Sequence, residues 1–157
     1  MSLTAQLEQK LAAAGRGPAS IVVAEGTDVV RCELVSIEGL GISVDRLELA
    51  SAHLQNVSTE RLKEVADALA RQVSYLLEAL APIEIDKEGC SVQMRSVPPY
   101  RRENITSYYE VVVSAGVISL RRYTKGPREA RQAQPFSITR EVLGRLVEDF
   151  AAAAAGA

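Results

Sequence analysis

Apolar residues at helical spacing predict three helices. The first spans residues 1–15, where Ser2 can cap the helix and Gly15 can end it. The second has the widest apolar stripe, spans residues 56–82 and is closed by Pro82, and the third follows a cap at Thr139. We expect the alanine-rich tail, residues 151–157, to fray. The stripes consist of Leu3, Leu7, Leu11 and Ala14; of Leu62, Val65, Ala66, Leu69, Val73, Leu76, Leu77 and Leu80; and of Val142, Leu143, Leu146, Val147 and Phe150.

Alternating apolar and polar residues predict antiparallel strands between these helices. Residues 20–50 contain two glycine-bearing turns between three strands, and a change of parity at Asp45 and Arg46 predicts a bulge in the third. Residues 83–94 predict a hairpin in which Ile85 lies opposite Cys90. This pairing places the apolar residues of both strands on one face.

A second hairpin is predicted over residues 105–124, with Val113 opposite Ile118. A shift by one residue would place a glutamate against a leucine, so this register is favoured. One face is then core, and the other presents two tyrosines and an expected ion pair to solvent or to a ligand. Pro127 begins a further segment that is predicted to form a helical turn. The pairs on the second face are Tyr108 with Tyr123 and Glu110 with Arg121, and Tyr109 lies opposite Arg122 on the first face.

The order of elements is therefore α-βββ-α-ββββ-α, which predicts one α+β domain over residues 1–157. Its two layers are an antiparallel sheet and helices packed on one face of that sheet. Strands joined as hairpins form no βαβ unit, so a dinucleotide-binding fold is not expected. This order is similar to that of type III secretion chaperones, which are small acidic cytoplasmic dimers that hold an extended protein client. The resemblance covers the coarse topology of most of the chain and implies a protein-binding role.

Composition is consistent with one soluble core. The chain has 157 residues, of which 47% are hydrophobic, but no Trp and few other aromatic residues, so Val, Leu, Ile and Ala must form the core. Neither a signal peptide nor an apolar run long enough to span a membrane is recognisable, so we expect a cytoplasmic protein. Two cysteines, Cys32 and Cys90, are too few for a disulfide framework and are expected to be reduced.

The sequence contains no recognisable catalytic constellation. His53 is the one histidine, in a predicted loop, and Glu84, Asp86 and Glu88 alternate along a strand and a turn. Nucleophile motifs and glycine-rich phosphate loops are absent. We therefore predict no enzymatic activity, no cofactor and no metal. An enzyme whose site is assembled from dispersed residues is the remaining alternative, and it would require a deep pocket around His53 or around the alternating acids.

Charge is distributed unevenly along the chain. Residues 1–90 carry 8 basic against 14 acidic side chains, whereas residues 91–157 carry 10 against 6. Such asymmetry can mark an interaction surface, or can cancel when the two halves pack together. The net charge of −2 disfavours a general nucleic-acid binder. The predicted hairpin brings together a candidate site for an anionic or protein partner, formed by Arg101, Arg102, Tyr108, Arg121, Arg122, Tyr123, Lys125, Arg128 and Arg131.

Two functions follow from this cluster. We predict a non-enzymatic adaptor or chaperone-like domain, a homodimer that binds another protein. The alternative is an RNA- or single-stranded-DNA-binding module in which Tyr108 and Tyr123 stack on bases while arginines contact phosphates. A third interpretation requires no partner, because Arg121 could pair with Glu110 while Arg122 covers Tyr109 and the remaining charges keep the loop in solution.

Overall fold

One antiparallel sheet of ten strands carries three α-helices on one of its faces in a computed structural model, which describes residues 1–156. The predicted α+β class, the order of the elements and the one-sided helix layer are confirmed. The helices are α1 (Leu3–Ala13), α2 (Thr59–Gln72) and α3 (Arg140–Ala155). The strands are β1 (Ala19–Glu25), β2 (Asp28–Ile37), β3 (Ile42–Ala50), β4 (Leu80–Asp86), β5 (Ser91–Ser96), β6 (Tyr100–Arg102), β7 (Ile105–Ser114), β8 (Val117–Lys125), β9 (Gln132–Ala133) and β10 (Phe136–Ile138).

The long strands follow the order β1-β2-β3-β8-β7-β5-β4, and three short strands complete the sheet. Strands β3 and β8 pair only from Leu47 to Ala50, and beyond that point β9 pairs with β8 while β10 pairs with β3. The segment from β9 to β10 therefore fills the gap where the two long strands separate. Glu33 pairs with Arg46 and Leu34 with Val44, so the predicted bulge at Asp45 is confirmed.

The core lies between the sheet and the helices. The predicted register of β7 and β8 is confirmed, since Val113 pairs with Ile118. Val111 and Val113 of β7 and Ile118 and Leu120 of β8 are buried in the same apolar cluster as Leu69 of α2 and Leu146 of α3, as the two-residue period requires. Each fully buried leucine or isoleucine contributes about 1.5–3 kcal/mol by leaving water. Ser2 and Thr139 cap α1 and α3 as predicted, each by accepting a hydrogen bond of 3.1 Å from a backbone N–H.

The second helix is shorter than predicted. It ends at Gln72, and residues 73–79 form an irregular segment before Leu80 begins β4. Val73 and Leu76 are nevertheless buried, whereas Leu77 is 94% exposed and has a left-handed φ of 65°. The helical spacing of these leucines was misleading, because burial on the core overrides helix propensity at the end of a helix. The Tyr75 hydroxyl donates a 2.6 Å hydrogen bond to Asp149, and burial together with this bond raises the pKa of Tyr75.

Two smaller expectations are also wrong. Ile85 pairs with Val92 rather than with Cys90, because the turn occupies residues 87–90, one residue later than predicted. The segment after Pro127 forms turns followed by β9, since pairing with β8 satisfies its backbone better than one helical turn would. Of the tail that is predicted to fray, residues 151–155 belong to α3, where Ala153 and Ala154 are buried, and Ala157 lies outside the described residues.

The two outer strands of the sheet, β1 and β4, differ in whether their free backbone groups are hydrogen-bonded. The edge of β1 is covered by α1: the Gln6 amide donates to the Ala24 carbonyl at 2.6 Å and accepts from the Ala24 N–H at 3.2 Å, and Lys10 donates to the Val22 carbonyl at 2.6 Å. Along the other edge, β4 pairs with β5 alone among the described residues. Its residues 82–86 are exposed. One edge is therefore sealed and the other is open.

Replacing Gln6 with Leu tests the seal on β1. The change removes both hydrogen bonds to Ala24, so we expect the free energy of unfolding to fall by on the order of 1 kcal/mol. Urea denaturation followed by circular dichroism measures this loss. Gln9→Leu, at an exposed position of the same helix, is the control and should change stability by less than half as much. Equal losses for the two variants would contradict the role of Gln6.

Candidate docking site on the outer sheet face

The face of the sheet opposite the helices, here called the outer face, carries a compact polar and aromatic cluster. Glu110 lies at its centre, with Arg95 on β5 and Arg121 on β8 as its two lateral neighbours. One step along the same face, Tyr108 pairs with Tyr123 as predicted, with ring centroids 6.0 Å apart. Side chains two residues apart on a strand share a face, which is why these strands bring the cluster together.

Glu110 is a buried carboxylate, 6% exposed, although no helix covers this face. Arg131 covers it instead by reaching from the turn after β8, with Nη1 at 2.6 Å from one carboxylate oxygen and Nη2 at 3.4 Å from the other. Gln93 donates to the same carboxylate at 2.6 Å, and Arg95 Nε lies 3.4 Å away. The bond to Glu110 raises the pKa of Arg131, which therefore stays cationic. A buried carboxylate without such a partner would be strongly destabilising.

Two guanidinium groups also cover the tyrosines. Arg131 lies 3.9 Å from the ring centroid of Tyr123, and Arg95 lies 4.7 Å from that of Tyr108. Tyr108 is buried, and Tyr123 has one face under Arg131. Both predicted stacking residues therefore already hold cations against their rings.

The predicted ion pair between Glu110 and Arg121 is wrong. Arg121 donates to Asp45 at 3.2 Å across the gap between β8 and β3, because Arg131 already occupies Glu110. Arg122 points to the opposite face, where its guanidinium lies 4.5 Å from the Tyr109 ring centroid and 3.0 Å from Glu78. Burial is the main cause that raises the pKa of Tyr109. The expected cover of Tyr109 by Arg122 is thus confirmed.

The nine candidate residues consequently do not form one cluster. Arg121 and Arg122 are neighbours in sequence and face opposite sides of the sheet, each paired with an acid. Arg101, Arg102, Lys125 and Arg128 are exposed, and within residues 1–156 none of them forms a salt bridge. Arg101 pairs with Thr106, and Thr106 pairs with Lys125, so Arg101 and Lys125 lie on the same face of the sheet. Arg102 follows Arg101 directly in the strand and therefore faces the other side. Arg128 lies in the turn after β8.

A pocket of about 360 Å³ adjoins Arg95 and Lys125 on the outer face. Its lining is mainly apolar, and the residues that matter below are Ile83, Arg95, Val97, Pro99, Tyr108 and Lys125. We call it the outer-face pocket. Sequence reasoning did not identify Arg95, Ile83 or Val97 as site residues, because they come from separate strands and loops that only the sheet order brings together.

Large apolar side chains are exposed at several places on this half of the sheet. Ile85 on β4 is 41% exposed on the helix side, since it pairs with the buried Val92. Tyr100 and Ile105 line a separate cavity. Ile83 and Val97, each 46% exposed, both line the outer-face pocket, and we call this pair the apolar rim. Adjacent exposed apolar side chains mark interaction surfaces more often than isolated ones do.

The residues considered for catalysis lie elsewhere. His53 is exposed in a single 3₁₀ turn, Ala52–Leu54, and its backbone N–H donates to the hydroxyl of Ser51. Glu84 and Asp86 are exposed, and Asp86 accepts a hydrogen bond from the Gly89 N–H in its turn. In residues 1–156, no three His, Cys, Asp or Glu side chains lie close enough together to hold a metal ion. None of the helices in that range has the length and apolar character needed to cross a membrane.

No protein-family model, no curated protein and no solved structure matches the chain. The fold defines a mixed α+β protein with an antiparallel sheet, and its function has to be inferred from the geometry of its surface.

Replacing Arg131 with Met tests its role over Glu110. We expect the free energy of unfolding to fall by about 1–2 kcal/mol, since Glu110 loses its closest cation while Arg131 itself is partly solvated. Adding Glu110→Met should recover most of that loss, because no buried charge then remains unpaired. Chemical denaturation of the two single variants and the double variant gives the coupling free energy.

Arg128→Met is the control, since Arg128 lies in the same turn and forms no ion pair in the described part of the chain. It should leave the unfolding midpoint nearly unchanged. Strictly additive effects of the Arg131 and Glu110 substitutions would contradict the proposed bond between the two side chains.

Proposed function

We propose that the protein is a non-enzymatic, protein-binding adaptor or chaperone-like module that holds an extended segment of another protein along β4. The observation that carries the proposal is the difference between the two sheet edges. Side chains of α1 occupy the backbone groups of β1, whereas β4 is exposed and lies beside the apolar rim. An open edge beside apolar side chains supports strand addition, in which the backbone supplies affinity and side-chain pockets supply specificity.

A second copy of the chain fits this edge less well than a different protein does. In an antiparallel pair of β4 strands, Glu84 and Asp86 of one copy would lie close to the same acids of the other copy, and like charges opposite each other are destabilising. The homodimer that we predict from the topology would accordingly use another surface.

The nucleic-acid alternative is less well supported. Tyr108 is buried and Tyr123 is partly covered by Arg131, so base stacking would first require the Glu110 cluster to open. A phosphate backbone that followed β4 would also meet the exposed acids Glu84 and Asp86.

Site-specific crosslinking tests the docking edge. A photoreactive phenylalanine analogue placed at Ile85 should crosslink to one extended segment of a partner, and the same analogue at Val29 should give little product. Val29 is a suitable control because it is similarly exposed but lies on β2, far along the sheet order from β4. A synthetic peptide of the crosslinked segment should bind the wild-type protein directly and displace the partner.

Methylating the backbone nitrogens of that peptide distinguishes strand addition from other docking. Every second backbone N–H of an added strand points toward β4, and the others point away from it. Methylating the nitrogens that point toward β4 should weaken binding about tenfold or more, because it removes hydrogen bonds of the ladder, whereas methylating the others should have little effect. Equal sensitivity to methylation of both sets of nitrogens, equal crosslinking at Val29 and Ile85, or crosslinks that map to a folded surface would each contradict the proposal.

A further inference from the structure

The outer-face pocket has more positive charge than the protein itself neutralises. Arg131 makes two contacts with Glu110 and matches its charge, so Arg95 is left as a surplus cation at the lining of the pocket. Arg95 reaches Glu110 only through Nε, at 3.4 Å, and its two Nη groups form no hydrogen bond to another residue in the range 1–156. Those two groups are the pair of donors with which arginine binds a carboxylate in bidentate geometry.

Two further cations lie beside the pocket. Lys125 lines it, and Arg101 is two strands away on the same face, with Thr106 between them. Neighbouring strands are about 4.8 Å apart, so the two Cα atoms are separated by roughly 10 Å. Long side chains span such a distance with ease, and one carboxylate can contact both cations.

The remaining lining is apolar. Ile83, Val97 and Pro99 contribute alkyl surface beside the ring of Tyr108. A volume of about 360 Å³ is near the lower end of the range for ligand pockets, about 300–1,000 Å³, which suits a few side chains rather than a folded element. The pocket thus combines a mainly apolar lining with two lining cations, Arg95 and Lys125, and Arg101 lies beside it. Neither Lys125 nor Arg101 has an acidic partner in the described chain.

We infer that the outer-face pocket recognises an aspartate or glutamate side chain flanked by apolar residues in the bound segment. This inference rests on the proposed function, because it names the side chain that the bound segment presents where it leaves the edge of β4 and crosses Ile83 onto the outer face. Lys125 lies three strands from β4, too far for a residue that pairs with the edge itself. The acidic residue contacts Arg95 and Lys125, and the apolar neighbours pack on Ile83 and Val97. A bare phosphate backbone would satisfy the cations but would leave the apolar lining uncovered.

The test uses three capped, fluorescein-labelled nonapeptides of alternating Val and Thr that differ only at the central residue, which is Asp, Asn or Lys. Fluorescence anisotropy at low and high salt measures their affinities, with labelled oligouridylate as a fourth probe. The peptide with Asp should bind about tenfold more tightly than the one with Asn, the effect of one charge-assisted hydrogen bond, and this advantage should shrink as salt is raised. The peptide with Lys should bind most weakly.

Charge-reversed variants locate the effect. Lys125→Glu combined with Arg101→Glu should abolish the preference for Asp and favour Lys. Arg31→Glu is the matched control, since Arg31 is exposed on β2, far along the sheet order from the pocket, and it should retain the preference. Circular dichroism melting curves establish that each variant is folded, and Lys125→Gln serves as a milder replacement if the double variant unfolds.

The outcomes separate the inference from the proposed function. If Ile83→Glu weakens all three peptides equally and the central residue makes no difference, the carboxylate preference is overturned while docking at β4 stands. Tighter binding of oligouridylate than of every peptide, or no peptide binding at millimolar concentration, would overturn the inference. Loss of the Asp preference in Arg31→Glu would also overturn it, because the effect would then be one of net charge.

Discussion

Nine residue pairs join β7 to β8, and this ladder determines which side of the sheet each neighbouring side chain faces. On one side, its valines and leucines pack against the helices and form the core. On the other side, the same alternation places Glu110 between Arg95 and Arg121, where no helix can cover it. The hairpin is therefore buried on both faces, once by apolar side chains and once by arginines and tyrosines. The polar layer depends on the same two-residue period as the core, since a slip by one residue would exchange the two.

An antiparallel sheet that is not closed into a barrel has two edges, and this protein uses its first helix to cover one of them. The narrow apolar stripe of α1, formed by Leu3, Leu7 and Leu11, positions Gln6 and Lys10 over β1 while it packs on the core. Helix α2 packs on β4, but among residues 1–156 no side chain forms a hydrogen bond to the backbone of residues 82–86, and the exposed acids of that edge discourage pairing of identical strands. An edge protected against its own copies remains accessible to a chain of different composition.

The fold could be predicted from the sequence wherever one interaction dominated. The register of β7 and β8 could be predicted because a shift by one residue would place Glu110 against Leu120, and the bulge at Asp45 followed from a parity change. The end of α2 could not be predicted, because Val73 and Leu76 keep helical spacing although the chain leaves the helix at Gln72. Of the site, the pairing of Tyr108 with Tyr123 was predictable. The hydrogen bond from Arg131 to Glu110 was not predictable, because Arg131 lies in an irregular segment where no periodic pattern of residues indicates the direction of a side chain.

The short junction between β3 and β8 has a consequence for the order of folding. Four residue pairs, from Leu47 with Leu120 to Ala50 with Val117, join the meander β1–β3 to β8, and three pairs join it to β10 near the end of the chain. These partners are 67–73 residues apart for β8 and 92–96 residues apart for β10. Such non-local pairing closes large loops and slows folding to milliseconds or longer. During synthesis, the meander emerges before β8 and β10, so the edge of β3 that pairs with them stays unpaired until residues 117–138 have been made. The nascent chain therefore passes through a period in which a second strand edge, later buried within the sheet, is open to mispairing.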